Sequence, residues 1–256
     1  MTEQRITSRK NPLLQQVKKL LSSRKAREEA GLFAADGVKL LAEAVRWYPG
    51  LDTVILSDGV HADVPESVRL FRVPQDVMAS ISPMESPQGA LFLCRLPEKK
   101  AYEPHPGCLL LDGIQDPGNL GTIVRTGEGA GISGIIMSSD CADIYNPKVI
   151  RSTMGSIFRV PFAISHNLPE DIDKLKQRGI TTYAAHLKGD LYHNGVFNRD
   201  VALLIGNEAR GLSQEVSQKA ERLIKIPMEG KVESLNAAIA TAILMYEAKA
   251  GRDKIQ

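Results

Sequence analysis

Cysteine is scarce in this 256-residue chain and shows no pairing: Cys94, Cys108 and Cys141 make an odd count with no close spacing. That argues against a disulfide framework and against a thiolate metal site. Long apolar runs are missing too. No stretch approaches the ~20 apolar residues of a membrane helix, and the N-terminus carries charges without an apolar signal core. Together these absences predict a cytoplasmic protein with no membrane association and no metal. No GxxxxGK[ST] element occurs, which disfavours a P-loop kinase or GTPase. A literal GxGxxG does occur at Gly129, Gly131 and Gly134. A dinucleotide turn needs a strand before it and a helix after it; here a helix pattern precedes and a strand pattern follows, so these glycines read as helix-stop and turn residues. The histidines His61, His105, His166, His186 and His193 show no metal-ligand or triad spacing.

What is present is the composition of a globular protein, with 43% hydrophobic and 24% charged residues, too apolar for large-scale disorder. The net charge of +2 is too small to prove a polyanionic partner, but its distribution is uneven. Residues 1–27 hold Arg5, Arg9, Lys10, Lys18, Lys19, Arg24, Lys25 and Arg27 against the single acid Glu3, a field that attracts phosphate and weakens with salt. Arg9, Lys10, Lys18 and Arg27 are the candidate nucleic-acid contacts there.

The patterning predicts a small α/β domain over 1–95, with a basic amphipathic helix over 12–21, a short apolar run over 32–35, helical spacing over 38–47 and strand candidates near 54–56, 70–73 and 91–93. Residues 96–107 hold prolines and charges without a sustained period and read as a linker. From 108 to 256, short apolar runs alternate with helical patterns, which argues a mostly parallel sheet covered on both faces. Strands are expected at 108–111, 135–137, 158–163, 181–185, 201–205 and 223–226. Helices are expected from 118, 147, 169 and 213, and a last one from Ser234. Ligands then favour the loops beyond the strand C-terminal ends.

Three polar loops sit in such places: DPGNLGTIVR at 116–125, IGNEARGL at 205–212, and IPMEGKVESLN at 226–236. Their order and spacing resemble the three motifs of the SpoU, or TrmH-like, branch of the SPOUT RNA methyltransferases. Asn119, Gly121 and Arg125 match the first motif; Gly206, Asn207, Glu208 and Gly211 the second; Ile226, Pro227, Met228, Gly230, Ser234, Leu235 and Asn236 the third. The stretch KVIRSTMGSIFRVP at 148–161 is similar to the segment between the motifs. Many relatives follow the last Asn with Val and Ser, where this chain has Ala237 and Ala238. The opening ITSRKNPLLQQVKKL and GLFAADGVKLLAEA resemble the family's ribosomal-protein-like substrate-binding extension, more loosely.

The resemblance implies a trefoil-knot SPOUT domain, S-adenosylmethionine (S-adenosyl-L-methionine) as cofactor, ribosomal or transfer RNA as substrate, and a homodimer through the knotted domain. It implies direct in-line transfer of a methyl group to a ribose 2′-hydroxyl. Arg125, Asn119, Glu208 and Asn236 are the implied catalytic residues. Leu204, Ile205, Gly206, Ile226, Pro227, Met228 and Leu235 are the implied cofactor residues, and Arg151, Ser152 and Ser156 further RNA contacts. Read locally, Asn119 and Ser234 are helix N-caps, Asp116 either fixes Arg125 or forms a turn with Pro117, and Glu208 pairs with Arg125 or Arg210 or holds substrate. A guanidinium is a poor proton acceptor, so Arg125 is expected to orient the alcohol and favour its ionisation electrostatically. Two alternatives stand beside this reading: a catalytically inactive RNA-binding protein of the same fold, and an RNA base methyltransferase.

Overall fold

Asn11 and Pro12 start the first helix. The Asn11 side chain accepts from the Leu13 N–H and Pro12 occupies the first helical position, where its missing N–H has no partner to lose. The helix, α1 (Pro12–Ser22), buries Leu14, Val17 and Leu20. In the computed structural model, which describes residues 4–97, 103, 105–193 and 196–253, α1 belongs to the first of two compact units: Met1–Lys100 with Asp143–Arg159, and Ala101–Ala142 with Val160–Gln256. Half of the expected linker, 98–102 and 104, lies outside the described residues.

The first unit continues with strand β1 (Gln4–Arg5), helix α2 (Arg24–Ala30), β2 (Leu32–Asp36), α3 (Val38–Trp47), β3 (Leu51–Ser57), β4 (Arg69–Val73), α4 (Gln75–Ile81) and β5 (Ala90–Arg95). The strands form a mixed sheet in the order β1-β4-β3-β5-β2. Its core joins Leu14, Val17 and Leu20 to Ile55, Leu91 and Leu93 from the sheet and to Val77 and Met78 from α4. α2 was not expected from the sequence. Seven residues long, it is capped by the Ser23 hydroxyl and stopped by Gly31, whose φ of 63° suits a residue without a Cβ.

The second unit begins with β6 (Cys108–Asp112), α5 (Pro117–Ala130) and β7 (Ile135–Ser138). Residues 143–159 then count with the first unit, although they lie inside the stretch 108–256 that the sequence suggests as one domain. They carry α6 (Pro147–Ser152) and a single 3-10 turn at Ser156–Phe158. Tyr145 stacks on Phe33 of β2 at 4.7 Å between ring centroids, and Phe158 on Tyr48 at 5.3 Å.

The chain resumes the second unit with β8 (Phe162–Ser165), α7 (Leu168–Gln177), β9 (Thr181–Leu191), β10 (Val201–Gly206), α8 (Gln214–Lys219), β11 (Arg222–Lys225) and α9 (Ala237–Asp253). The sheet runs β11-β9-β10-β6-β7-β8 and every neighbouring pair is parallel. Its central strands, CLLLD and VALLIG, are apolar almost throughout because helices shield both faces. The strand expected at 158–163 is displaced. Phe158 closes the 3-10 turn, and Pro161, which has no N–H for a ladder, precedes β8 and offers its carbonyl to Ile135. All three cysteines are buried. Burial pushes each thiol up, that of Cys108 to about 12, so none is a ready thiolate. Among the described residues no helix is long and apolar enough to cross a membrane.

Candidate active site

β6 and β10 are adjacent and parallel, with Asp112 paired to Gly206 at their C-terminal ends. The loops that follow, 113–116 and 207–212, therefore start side by side. Asn207 ties them: its Nδ2 donates to the Gly113 carbonyl at 2.7 Å, and its Oδ1 accepts from the N–H groups of Ala209 and Arg210. Asn207 and Gly211 also exchange both backbone hydrogen bonds at 2.9 Å, closing the loop on itself. Gly206 is required there. A Cβ would lie 2.1 Å from the Leu212 nitrogen and 2.2 Å from the Gly211 carbonyl carbon, and backbone cannot swing aside as a side chain can.

The closed loop presents Glu208 to the start of α5. One carboxylate oxygen accepts from the Asp116 N–H at 3.2 Å and from Asn119 Nδ2 at 3.0 Å; the other accepts from the Gln115 N–H at 3.3 Å. Burial on its own would raise the pKa of this half-buried carboxyl. The bonds from Asn119, from its own N–H, and from Gln115 and Asp116 outweigh that and hold it below the ordinary glutamate value. Glu208 is thus an ionised acceptor with its lone pairs engaged, a poor candidate for taking a proton.

The third loop joins through Asn236. Its Nδ2 donates to Asn119 Oδ1 at 2.9 Å, and its Oδ1 accepts from the N–H groups of Ala238 and Ile239 at 2.9 and 3.2 Å. The orientation of both amides follows from the ends of this chain. An ionised carboxylate only accepts, so Asn119 must turn its NH2 toward Glu208 and its oxygen toward Asn236. Backbone N–H groups only donate, so Asn236 must turn its oxygen to α9 and its NH2 toward Asn119. Glu208, Asn119 and Asn236 form one polarised relay across three loops. Each amide keeps a second N–H, and Asn119 a second oxygen lone pair, for a bound molecule.

Several local readings give way to this geometry. Asp116, not Asn119, caps α5: its side chain accepts from the Asn119 N–H at 2.7 Å, with Pro117 at the first helical position. Asn119 stands in the first turn with its amide free to reach Glu208. Likewise Asn236, not Ser234, supplies the cap of α9, which starts at Ala237; Ser234 is exposed in the preceding loop. Arg125 is exposed on α5, and among the described residues it forms no ion pair with Glu208 or Asp116.

Leu204 and Ile205 are buried at the end of β10, next to Gly206. Ile226, Met228 and Leu235 are half-buried and Pro227 exposed in the segment after β11. Among the described residues, the backbone of 226–235 makes no backbone–backbone hydrogen bond outside the strands. Apolar side chains beside unengaged main-chain donors and acceptors suit a flat, partly apolar heterocycle, so these residues fit an adenosyl group.

The RNA candidates separate. Lys10 is exposed; Arg9 is exposed and paired with Asp76 at 2.6 Å; Lys18 is partly exposed. Arg27 must be withdrawn as a surface cation. Only 4% exposed, it donates to the Leu20 carbonyl and to Asp143, the latter at 3.1 Å from Nε. Ser156 is buried as well, at 2% exposure, so its hydroxyl cannot reach a phosphate in this conformation. Ser152 donates to the Lys148 carbonyl within α6, and Arg151 lies against Met84. The sequence reading missed Asn207 as the strap between two loops; its position between Gly206 and Glu208 was the only signal.

Residues 107–246 match the model of the SpoU rRNA Methylase family, and residues 11–91 match the MRM3-like substrate binding domain. The 23S rRNA (guanosine(2553)-2′-O)-methyltransferase RlmP of Bacillus subtilis is 34% identical over 245 residues, covering 94% of this chain and 97% of that protein. The AdoMet-bound rRNA methyltransferase of Sinorhizobium meliloti superposes with a TM-score of 0.84 at 30% identity, covering 97% of this chain and 98% of that one. The SpoU methyltransferase AviRb of Streptomyces viridochromogenes, in complex with AdoMet, gives 0.81 at 28% identity, with 96% and 99% covered.

Proposed function

This chain belongs to the SpoU rRNA methylase family, and from that premise we propose that it transfers a methyl group from S-adenosylmethionine to a ribose 2′-hydroxyl of 23S ribosomal RNA in the cytoplasm. The observation that carries the site assignment is the relay Glu208–Asn119–Asn236, which converges from three loops at the C-terminal edge of the parallel sheet. The bound cofactor supplies an electrophilic methyl group. Gly206, Ile226, Met228 and Leu235 would hold it through main-chain and apolar contacts, with Leu204 and Ile205 as the packed floor. In-line transfer to the ribose oxygen would break the bond between that methyl and the sulfonium sulfur and leave a neutral thioether, and the hydroxyl proton would go to water or phosphate. Asn119 and Asn236 orient the acceptor through their remaining N–H groups and lone pair, held by Glu208. Arg125 brings a fixed positive charge to the ribose and its phosphate, favouring the ionised alcohol.

The same reading includes a homodimer and a knotted path for the last strand and helix. α9 leaves Ile239 and Tyr246 exposed at 53% and 49%. They are seven residues apart, two helical turns, and so share a face. α9 packs against α5, the helix that exposes Arg125. A face of this kind, covered by a second copy, would set Arg125 at the partner's site; that placement agrees with the lack of an ion pair from Arg125 to Glu208 or Asp116 among the described residues.

The test is transfer from radiolabelled cofactor to unmodified ribosomal RNA by wild type and Arg125→Ala. Label is expected on ribose, as a block to alkaline cleavage at one linkage, and near background with the variant while cofactor affinity is kept. Label on a base overturns the ribose assignment; equal labelling by both proteins overturns the role of Arg125.

A further inference from the structure

Trp47 is the only tryptophan of the chain and stands 46% exposed at the last position of α3. The helix buries Leu40, Leu41 and Ala44. Helical spacing from Leu40 and Ala44 carries Trp47 to the rim of that buried face, where it is half-buried. Two guanidiniums attend the ring. Arg46 lies 4.9 Å and Arg159 5.8 Å from its centroid. Arg159 is oriented by an ion pair to Glu43, one turn back on α3. Glu43 is itself confined, because a Cβ at Gly155 would lie 2.7 Å from its Cγ. Met154, next to Gly155, is 51% exposed and holds a φ of 51°, a left-handed backbone that a non-glycine residue adopts at a cost and keeps only where its surroundings impose it.

An isolated exposed apolar side chain needs no explanation. An exposed indole on a rigid helix end, flanked by two guanidiniums, combines the two elements that single-stranded nucleic acid requires: a flat platform for a base and fixed positive charge for its phosphate. We propose that Trp47 stacks on an unpaired base of the RNA substrate, with Arg46 and Arg159 holding the adjoining phosphate. The inference rests on the reading that the substrate is RNA, and adds a contact on the first unit, away from the relay residues in the chain. Exposed cation–π contacts are weaker than a base–aromatic stack. A base therefore displaces Arg46 from the ring toward a phosphate at net gain, and charge complementarity favours RNA over a protein partner.

Because Trp47 is unique, its fluorescence reports this spot alone. The full-length protein is titrated with an unmodified 23S rRNA transcript while methyl transfer is followed in parallel. Saturable quenching is expected at the concentrations that saturate methylation. Trp47→Ala should raise the KM for RNA about fivefold or more, the loss of one stack, with kcat and cofactor affinity unchanged. Trp47→Phe should restore most of that loss, and Arg46→Gln should lower the salt slope of binding by about one. Fluorescence that does not move at saturating RNA, or a wild-type KM in Trp47→Ala, overturns the proposal. So does a response to ribosomal protein but not to naked RNA, which would identify a protein partner. If the wild type methylates nothing yet quenches with RNA, the enzymatic reading fails while the Trp47 contact stands.

Discussion

Replacing Glu208 by Gln changes one atom and reverses one hydrogen-bonding role. Besides its own N–H, the carboxylate accepts from three donors: Asp116 N–H, Asn119 Nδ2 and Gln115 N–H. Glutamine keeps one acceptor oxygen, which can serve two of them. Its NH2 then faces the third donor, so one bond becomes a donor–donor contact and the other two lose the help of a full charge. Bonds to charged groups contribute about 1.5–3 kcal/mol and neutral ones about 0.5–1.5. Glu208 is half-buried and water compensates part of the loss, which leaves about 1–3 kcal/mol. If the relay holds Asn119 and Asn236 for the acceptor ribose, most of that falls on the transition state, and kcat/KM drops about 10- to 100-fold. The assay is methyl transfer at saturating cofactor, with cofactor affinity measured separately and expected to change little. Asn119→Ala closes a double-mutant cycle: once Asn119 is gone, Glu208→Gln should cost far less than in the wild type. Wild-type turnover in Glu208→Gln, or strictly additive losses in the cycle, would refute the relay.

The same carboxylate makes a prediction about pH. Its folded pKa is held below that of a free glutamate side chain, so the stability it contributes is present above the unfolded pKa and is lost as pH falls through the lower folded value. The stability gap between wild type and Glu208→Gln, followed by denaturant titration, should close as pH drops below about 4.5; a gap that widens there contradicts the assignment. Gly206→Ala sets a Cβ 2.1 Å from the Leu212 nitrogen. It should open the 207–212 loop and abolish cofactor binding by calorimetry while the first unit keeps its fold; normal binding would show the loop to be more yielding than its geometry. Asp143→Ala leaves the buried Arg27 guanidinium without its carboxylate. Unfolding free energy should fall by about 3–5 kcal/mol, and a loss under 1 kcal/mol would place Arg27 in water after all.

Residues 143–159 bear on how this protein can be dissected. Tyr145 and Phe158 stack on Phe33 and Tyr48, and Asp143 pairs with Arg27. A fragment starting after residue 95 would carry those aromatics and that carboxylate without their partners. Nothing local in 143–159 announces this, because a run of helical and apolar residues reads the same whichever core it joins.

Much of the site was legible because its chemistry is written in short, spaced stretches. Asn119, Glu208 and Asn236 lie in polar loops after apolar strands, where the resemblance to the SpoU motifs singles them out, and the strand–helix alternation leads to the parallel sheet. The caps were misread for a physical reason. Asp116 and Asn119, like Ser234 and Asn236, are all competent N-cap residues within a few positions of one another, and spacing cannot choose between them. The choice falls to the partner available for the residue left over, 89 residues away for Asn119 and Glu208, and 117 for Asn236 and Asn119. Arg27 was misread likewise. Basic residues in a row look alike until one of them finds a carboxylate 116 residues distant and leaves water.

Periodicity and motif spacing alone therefore settle the class of fold, the three loops and the residue types that meet there, since these depend on neighbours a few positions apart. Tertiary structure alone decides which way each amide points, which cation is buried and which is left at the surface, and which core claims an internal segment. Those outcomes depend on hydrogen-bond partners and desolvation, and both are set by residues that become neighbours only when the chain has folded.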